Sequence, residues 1–244
     1  MTTAMSLSNL FIAYVALVAA VVAITLARTL SARATLTGLI GLALWLGYAG
    51  ALGYLGVVGD TTLRFPGIFI LMTPIIAFVS LVLVRSPVGR HLATSVPLGL
   101  LIGLQVFRVG VELTLHRLWE LGSVPKLMTL AGGNFEILVG FSAPVFALIA
   151  TRGPSGRRVA LLWNVVGLAS LLNVAARAVL SAPGPLNFLH GEVLNTALGT
   201  FPFTFIPGFM APLAMMLHVL TFRSLRAAGR SDALDVNAAA AALG

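Results

Sequence analysis

The sequence predicts an all-α, polytopic membrane bundle of seven transmembrane helices, with the N-terminus outside and the C-terminus in the cytoplasm. Three observations carry this. Only 9% of the 244 residues are charged and 59% are hydrophobic, whereas soluble domains carry about 25% charged residues. That leaves too few polar groups to solvate a globular surface, so lipid is the solvent the chain suits. Apolar runs recur along the chain, each near the roughly 20 residues that a membrane-crossing helix needs. Positive charges also favour alternate connections, ten against three.

The seven runs are Ser8–Ala27, Leu36–Val58, Gly67–Val84, Ala93–Leu115, Ala131–Ala150, Val159–Leu180 and Phe203–Phe222. They make residues 1–222 one transmembrane domain and leave 223–244 as a short cytoplasmic tail. The first run is expected to stay in the protein, because the residues before it carry no Lys or Arg and a signal peptide needs a basic start. One set of connections holds Arg28, Arg33, Arg85, Arg90, Arg152, Arg157, Arg158, Arg223, Arg226 and Arg230. The other holds Arg64, Arg117 and Lys126. Basic loops stay on the cytoplasmic side, which sets the orientation. The Arg, Ala, Leu and Gly bias fits a bacterial inner membrane protein.

Composition also excludes chemistry. There are no cysteines, so thiolate metal sites, disulfides and Cys nucleophiles are absent. The net charge of +8 lies in loops between spans, not in a basic stripe interleaved with aromatics, so nucleic acid is not a partner. Retinal needs a lysine inside a span, and Lys126 lies in a loop. Haem is disfavoured: His91 and His116 lie about 37 Å apart along one helix, more than the hydrocarbon core. No GxSxG elbow or HxxxH pair occurs.

The fourth run carries the densest polar signal: Gln105, Arg108, Glu112, His116 and Glu120. From Arg108 on, each step of four residues advances the side chain only about 40° around a helix. These residues therefore form one stripe, about 18 Å long from Arg108 to Glu120, expected to face the bundle interior. Asn134 and Glu136 open the fifth run, and Asn173 and Arg177 lie a turn apart near the end of the sixth. All of these fall toward the outer side. Charges inside a membrane are costly, so Arg108, Glu112, Glu136 and Arg177 are expected to neutralise one another. Between the sixth and seventh runs, Leu186, Leu189, Val193, Ala197 and Leu198 have helical spacing. They suggest a short amphipathic outer helix, with His190 and Glu192 over the cluster; a solvated loop is the alternative. The seventh run is interrupted by Pro207, Gly208 and Pro212, which free backbone carbonyls.

The string Phe107-Arg-Val-Gly-Val-Glu-Leu-Thr-Leu-His-Arg-Leu-Trp119 resembles a pattern in an uncharacterised family of bacterial multi-pass membrane proteins. Val124-Pro-Lys-Leu-Met-Thr129, Gly133-Asn-Phe-Glu-Ile-Leu-Val-Gly140, Phe201-Pro-Phe203 and Leu217-His218 are similar as well. The resemblance covers roughly the second half of the chain. It implies no activity.

Three functions remain open from the residues. The first is an extracytoplasmic-facing pocket for a small polar, anionic or lipid-headgroup ligand, serving transport or sensing. Its candidate binding residues are Gln105, Arg108, Glu112, His116, Asn134, Glu136, Asn173, Arg177 and His190. Here Arg108 and Arg177 would hold an anion. The second is a metal-dependent intramembrane enzyme using Glu112, His116 and Glu136, because i, i+4 spacing puts Glu112 and His116 on one helical face. The third is a structural subunit with a buried ion network. The oligomeric state is open. The topology has a direct check, since the chain has no native cysteine. Single cysteines introduced at residues 2–6 and 235–240 are expected to react with an impermeant maleimide from the outside and the cytoplasm respectively. The reverse pattern would invert the bundle.

Overall fold

The structure, a computed structural model, describes residues 2–241, with side chains for residues 6–230. Among the described residues it is all-helical, without strands. Helix α1 spans Thr2–Thr29 and α2 Ala32–Tyr54. Helix α3, Gly67–Ala77, contains Pro74 and loosens into a π-helix over Phe78–Arg85. The missing proline N–H removes one ladder bond, and the wider turn that follows fits a disturbed ladder. Then come α4 (Pro87–Ser95), α5 (Leu98–Gly103), a 3₁₀ turn over Leu104–Phe107 and α6 (Arg108–Glu120). Helix α7 is Glu136–Ala150 and α8 Gly153–Leu180. A π-helical turn, Ile206–Met210, leads into α9, Ala211–Ala241.

Among the described residues, six helical stretches are long and apolar enough to cross a membrane: Ser6–Thr29, Ala32–Tyr54, Gly67–Arg85, Leu98–Glu120, Gly153–Leu180 and Ile206–Arg230. The expected fifth span, Ala131–Ala150, is shorter as a helix. The 15 residues of α7 rise only about 22 Å, against a hydrocarbon core of about 30 Å. Its first residues are spent elsewhere: Leu130–Gly132 forms a 3₁₀ turn and Gly133 adopts a left-handed φ of 86°. The fourth span also shifts. Val96 is extended, with ψ 124°, as residues before proline prefer. Pro97 thus separates α4 from the crossing stretch, which runs from Leu98 to Glu120.

The outer amphipathic helix is not formed. Residues 182–196 are irregular, and only Ala197–Gly199 makes a 3₁₀ turn. Pro183 and Pro185 flank Gly184 at φ 103°, and His190 sits at φ 44°. The two prolines precede Leu186, where a helix start tolerates them, so the break within the expected stretch is the left-handed backbone at His190, which a helical ladder does not accommodate. At the other end of the last span the helix exceeds expectation. It continues past Phe222 to Ala241.

The bundle exposes apolar faces and buries an apolar core that encloses a small set of polar side chains. Leu138, Phe141, Val145 and Leu148 of α7 form an exposed stripe, while Glu136, Val139, Gly140 and Ala143 face inward. On α8 the buried positions are Gly156, Ala160, Trp163, Asn164, Gly167 and Leu171, and Leu162 and Val166 are exposed. Small inward residues let helices approach where lipid supplies no hydrophobic drive between them. The apolar stretches within Leu98–Glu120 and Ile206–Arg230 are 50% and 56% buried, against 17% and 11% for the first two spans. The bundle is therefore built around α5, α6 and α9, with α1 and α2 at its margin.

Each end has its own fastening. At one end Arg223 donates to the carbonyls of Leu83 and Val84, in the last turn of the π-helix, and of Ser86, the N-cap of α4. At the other, the amides of Thr196 and Ala197 donate to Ser123 O at 3.1 and 3.2 Å, and Phe201 N to Gly53 O at 3.3 Å. The connections 55–66, 121–135 and 181–205 thus converge on one end of the bundle, called the loop end below.

Gly110 lets α1 reach this core. A Cβ there would lie 2.4 Å from Tyr14 Cζ, and the Tyr14 hydroxyl donates to Phe107 O beside the 3₁₀ turn. Gly110→Ala should lower stability by about 1–3 kcal/mol, the usual cost of overpacking. Gly229→Ala, where an added Cβ meets nothing within 4 Å, should be neutral or mildly stabilising. Thermal denaturation in detergent compares the two.

Candidate ligand-binding site

The site begins with the 3₁₀ turn. Tightening Leu104–Phe107 rotates the start of α6, so that Gln105, Arg108 and Glu112 all point into the bundle. Their exposures are 0%, 2% and 4%. A guanidinium in such a place needs acceptors; four elements supply them to its two terminal nitrogens, while Nε is left without a hydrogen-bond partner among the described residues. Arg108 Nη2 pairs with Glu136 Oε2 of α7 and also donates to Gly167 O of α8 at 3.3 Å. Nη1 lies 2.9 Å from His218 Nε2 of α9 and 3.5 Å from Gln105 Oε1.

This arrangement assigns the protons on His218. Arginine can only donate, so Nε2 accepts and the proton sits on Nδ1. That Nδ1–H donates to Asn164 Oδ1 at 2.8 Å, and Asn164 Nδ2 returns a bond to His218 O at 3.1 Å. His218 is thus a neutral acceptor held in one tautomer by α8. Gly167 makes room for it, because a Cβ there would lie 2.7 Å from His218 Cε1.

Asn134 organises the carboxylates. Its Nδ2 donates to Glu112 Oε1 at 2.7 Å and to Met128 O at 2.9 Å, while Oδ1 accepts from Glu136 N at 3.1 Å. One side chain therefore holds Glu112 and starts the helix that carries Glu136. The loop behind it is braced by Arg177. Its Nη1 donates to Leu127 O at 2.8 Å and Gly132 O at 2.7 Å, and Nε to Asn173 Oδ1 at 3.2 Å.

Of the nine candidate residues, the structure brings together Gln105, Arg108, Glu112, Asn134 and Glu136. Arg177 and Asn173 stand one layer away. The expected four-charge network is thereby revised. Arg108 pairs with Glu136, while Arg177 serves backbone carbonyls, because the 3₁₀ turns at Lys126–Met128 and Leu130–Gly132 offer it acceptors at closer range. His116 and Glu120 also depart from expectation. They are exposed near the end of α6 and lie 3.6 Å apart, and Arg117 pairs with Glu120 as well. The polar stripe therefore enters the bundle only at its Arg108 half. His190 is exposed in the irregular loop, its amide bonded to Asn187 Oδ1 at 3.1 Å. Among the described residues no three His, Asp or Glu side chains gather closely enough to hold a metal ion. The set Glu112, His116 and Glu136 is separated by the outward turn of His116.

Sequence reasoning missed His218 and Asn164. Both are polar residues inside apolar runs, which was the available signal. Neither carries a formal charge, and nothing local links either one to Arg108, which is 110 positions from His218.

Beside this cluster lies a cavity of about 320 Å³. Arg108, Glu112 and Glu136 line it together with apolar walls that include Phe107, Val111, Leu171, Ile206 and Met210. Residues of the 58–66 and 182–200 connections line it too, so it reaches the loop end. Both α3 and α8 contribute walls, yet among the described residues they do not pack closely on one another.

The pairing scheme predicts a coupling pattern. Arg108→Gln leaves Glu136 as an uncompensated buried charge and should cost about 3–5 kcal/mol. Combining it with Glu136→Gln should recover part of this, whereas combining it with Glu112→Gln should recover less. Double-mutant cycles on thermal or denaturant unfolding measure both couplings. Equal recovery by the two partners would contradict the assigned pair.

No curated protein and no solved structure matches the chain. A family model described as Domain of unknown function (DUF8737) matches residues 65–226. That segment begins beyond α2 and contains every residue of the Arg108 cluster and most of the cavity wall. With about two thirds of its length matched, the chain belongs to this family, a family of uncharacterised proteins.

Proposed function

We propose that this protein is a seven-span membrane protein, N-terminus outside and C-terminus cytoplasmic, whose cavity binds a small amphiphilic ligand for transport or sensing. The observation that carries the reading is the cavity itself: apolar walls leading from the loop end to a polar floor of Arg108, Glu112 and Glu136. Binding sites are mostly apolar with a few fixed polar groups, and ionisable residues inside a membrane mark function by default. A ligand with a polar head and an apolar body suits both surfaces.

Supporting observations concern placement. The exposed apolar stripe of α7 suits a lipid-facing helix, and short spans are accommodated by local bilayer thinning. That favours counting it as the seventh crossing. The ten-to-three asymmetry of basic residues supports an extracytoplasmic loop end, and the cavity with it, in a bacterial inner membrane. Two walls of the cavity are irregular helix: the 3₁₀ turn at Leu104–Phe107 and the π-turn at Ile206–Met210. Such segments recur at functional hinges, which suits a pocket that changes shape in transport or signalling.

The test is photolabelling in phosphatidylcholine nanodiscs with diazirine-tagged octyl probes bearing an amine, a hydroxyl or a carboxylate head. At least one probe is expected to label cavity residues such as Leu171, Ile206 or Met210. Ala175→Trp, which fills the cavity from α8, should remove that labelling. Labelling by all three probes confined to lipid-facing positions such as Leu148 and Leu162 would defeat the proposal.

A further inference from the structure

The cavity's lining is selective for charge. Among the described residues, Asp60, Glu112 and Glu136 share the lining with one cation, Arg108, and no Lys or His lines the space. Arg108 is already committed through both terminal nitrogens. Among the described residues only its Nε, a buried donor without a partner, is left over, and Arg177, the second arginine of an anion site, is tied to the loop backbone.

The unused groups are mostly acceptors. Glu136 is 4% exposed, and its Oε1 has no hydrogen-bond partner. Asn195 is 5% exposed, and its Oδ1 likewise has none. The amide orientation follows from its other bond, because Nδ2 faces Ala178 O at 2.9 Å and a carbonyl can only accept. Both residues line the cavity. Glu112 lines it too, held through Oε1 by Asn134 and without a salt-bridge partner. Nearer the loops, Asp60 accepts from Thr62 Oγ1 at 2.6 Å and Thr62 N at 2.8 Å. Those two bonds, the hydroxyl's first, hold its carboxyl below the usual range and keep it charged. Buried acceptors left without donors are costly, and a bound group rich in N–H would satisfy them.

We propose that the cavity takes an amphiphile with a primary ammonium head. The ammonium sits between Glu112 and Glu136, and its apolar body lies along Phe107, Leu171 and Ile206; Asn195, bonded to Ala178 about 16 Å along α8 from Gly167, stands nearer the loop end. An ammonium offers three donors and one positive charge, which matches unpartnered acceptors in an acid-rich site. The proposal rests on the binding reading above and narrows its ligand. The same chemistry has two sources, a free alkylamine or an aminophospholipid of the bilayer.

The test uses the three octyl probes in phosphatidylcholine nanodiscs, whose lipid offers no N–H. The amine is expected to label the cavity with an affinity at least about tenfold above the hydroxyl and carboxylate, the scale of one charge-assisted bond. Glu112→Gln keeps the side-chain shape and an acceptor for Asn134, and should erase most of that preference while hydroxyl labelling persists. Should this variant fail to fold, the head-group ranking in wild-type protein decides alone. Adding phosphatidylethanolamine then separates the sources. Strong competition with the amine probe identifies a lipid headgroup, and its absence identifies a free amine, both consistent with an ammonium site. Cavity labelling led by the carboxylate, or equal for all three heads, would overturn the ammonium assignment and leave the binding reading standing. No cavity labelling by any probe would remove both.

Discussion

A single guanidinium organises the middle of this bundle. Arg108 is 2% exposed, and an unpaired charge at such depth would be expensive enough to unfold a marginal protein. Its acceptors come from α7, α8 and α9, so these three helices must stand where they do for Arg108 to be tolerated. Other features follow from that demand. Gly167 is small because His218 lies against it. His218 is a fixed tautomer because Asn164 takes its Nδ1 proton. The 3₁₀ turn before Arg108 brings Gln105 into the same shell. In lipid, where apolar burial drives little helix association, such polar contacts and close small-residue packing carry specificity.

The same constraint shapes the cavity. With Arg108 absorbed by Glu136, the second carboxylate, Glu112, is left to Asn134 and to the space beside it. The loop that carries Asn134 is in turn fastened by Arg177 from α8. The polar floor is thus supported from behind by backbone-directed bonds, and the groups that face the cavity keep spare acceptor capacity. That division, with arginines used inward and carboxylates left open, is what gives the site its sign.

Much of this was legible in the sequence, for physical reasons that can be named. Run length and charge scarcity exposed the membrane helices, because lipid imposes a length and excludes charge. Gln105, Arg108, Glu112, Asn134 and Glu136 were identifiable because polar groups inside apolar runs must face one another. Partner choice was not legible. Arg177 looked like a member of the network, and only the folded positions of the Leu127 and Gly132 carbonyls explain why it is not. His116 continued the helical stripe in sequence, yet two steps of about 40° turn it roughly 80° from Arg108, off the face on which Leu115 and Leu118 are buried. The amphipathic pattern at 186–199 was real as spacing but is interrupted by the left-handed backbone at His190. His218 and Asn164 carry no formal charge, so a search for charge passed over them.

The central claim is that Arg108 donates to a neutral His218 whose proton is held on Nδ1 by Asn164. Solid-state ¹⁵N NMR of histidine-labelled protein in lipid reads this directly, with His218→Gln assigning the signal among the four histidines. The account predicts a neutral imidazole at neutral pH, protonated at Nδ1 and bare at Nε2. An imidazolium, or a proton on Nε2, would show that Arg108 does not donate to this ring and would contradict the account.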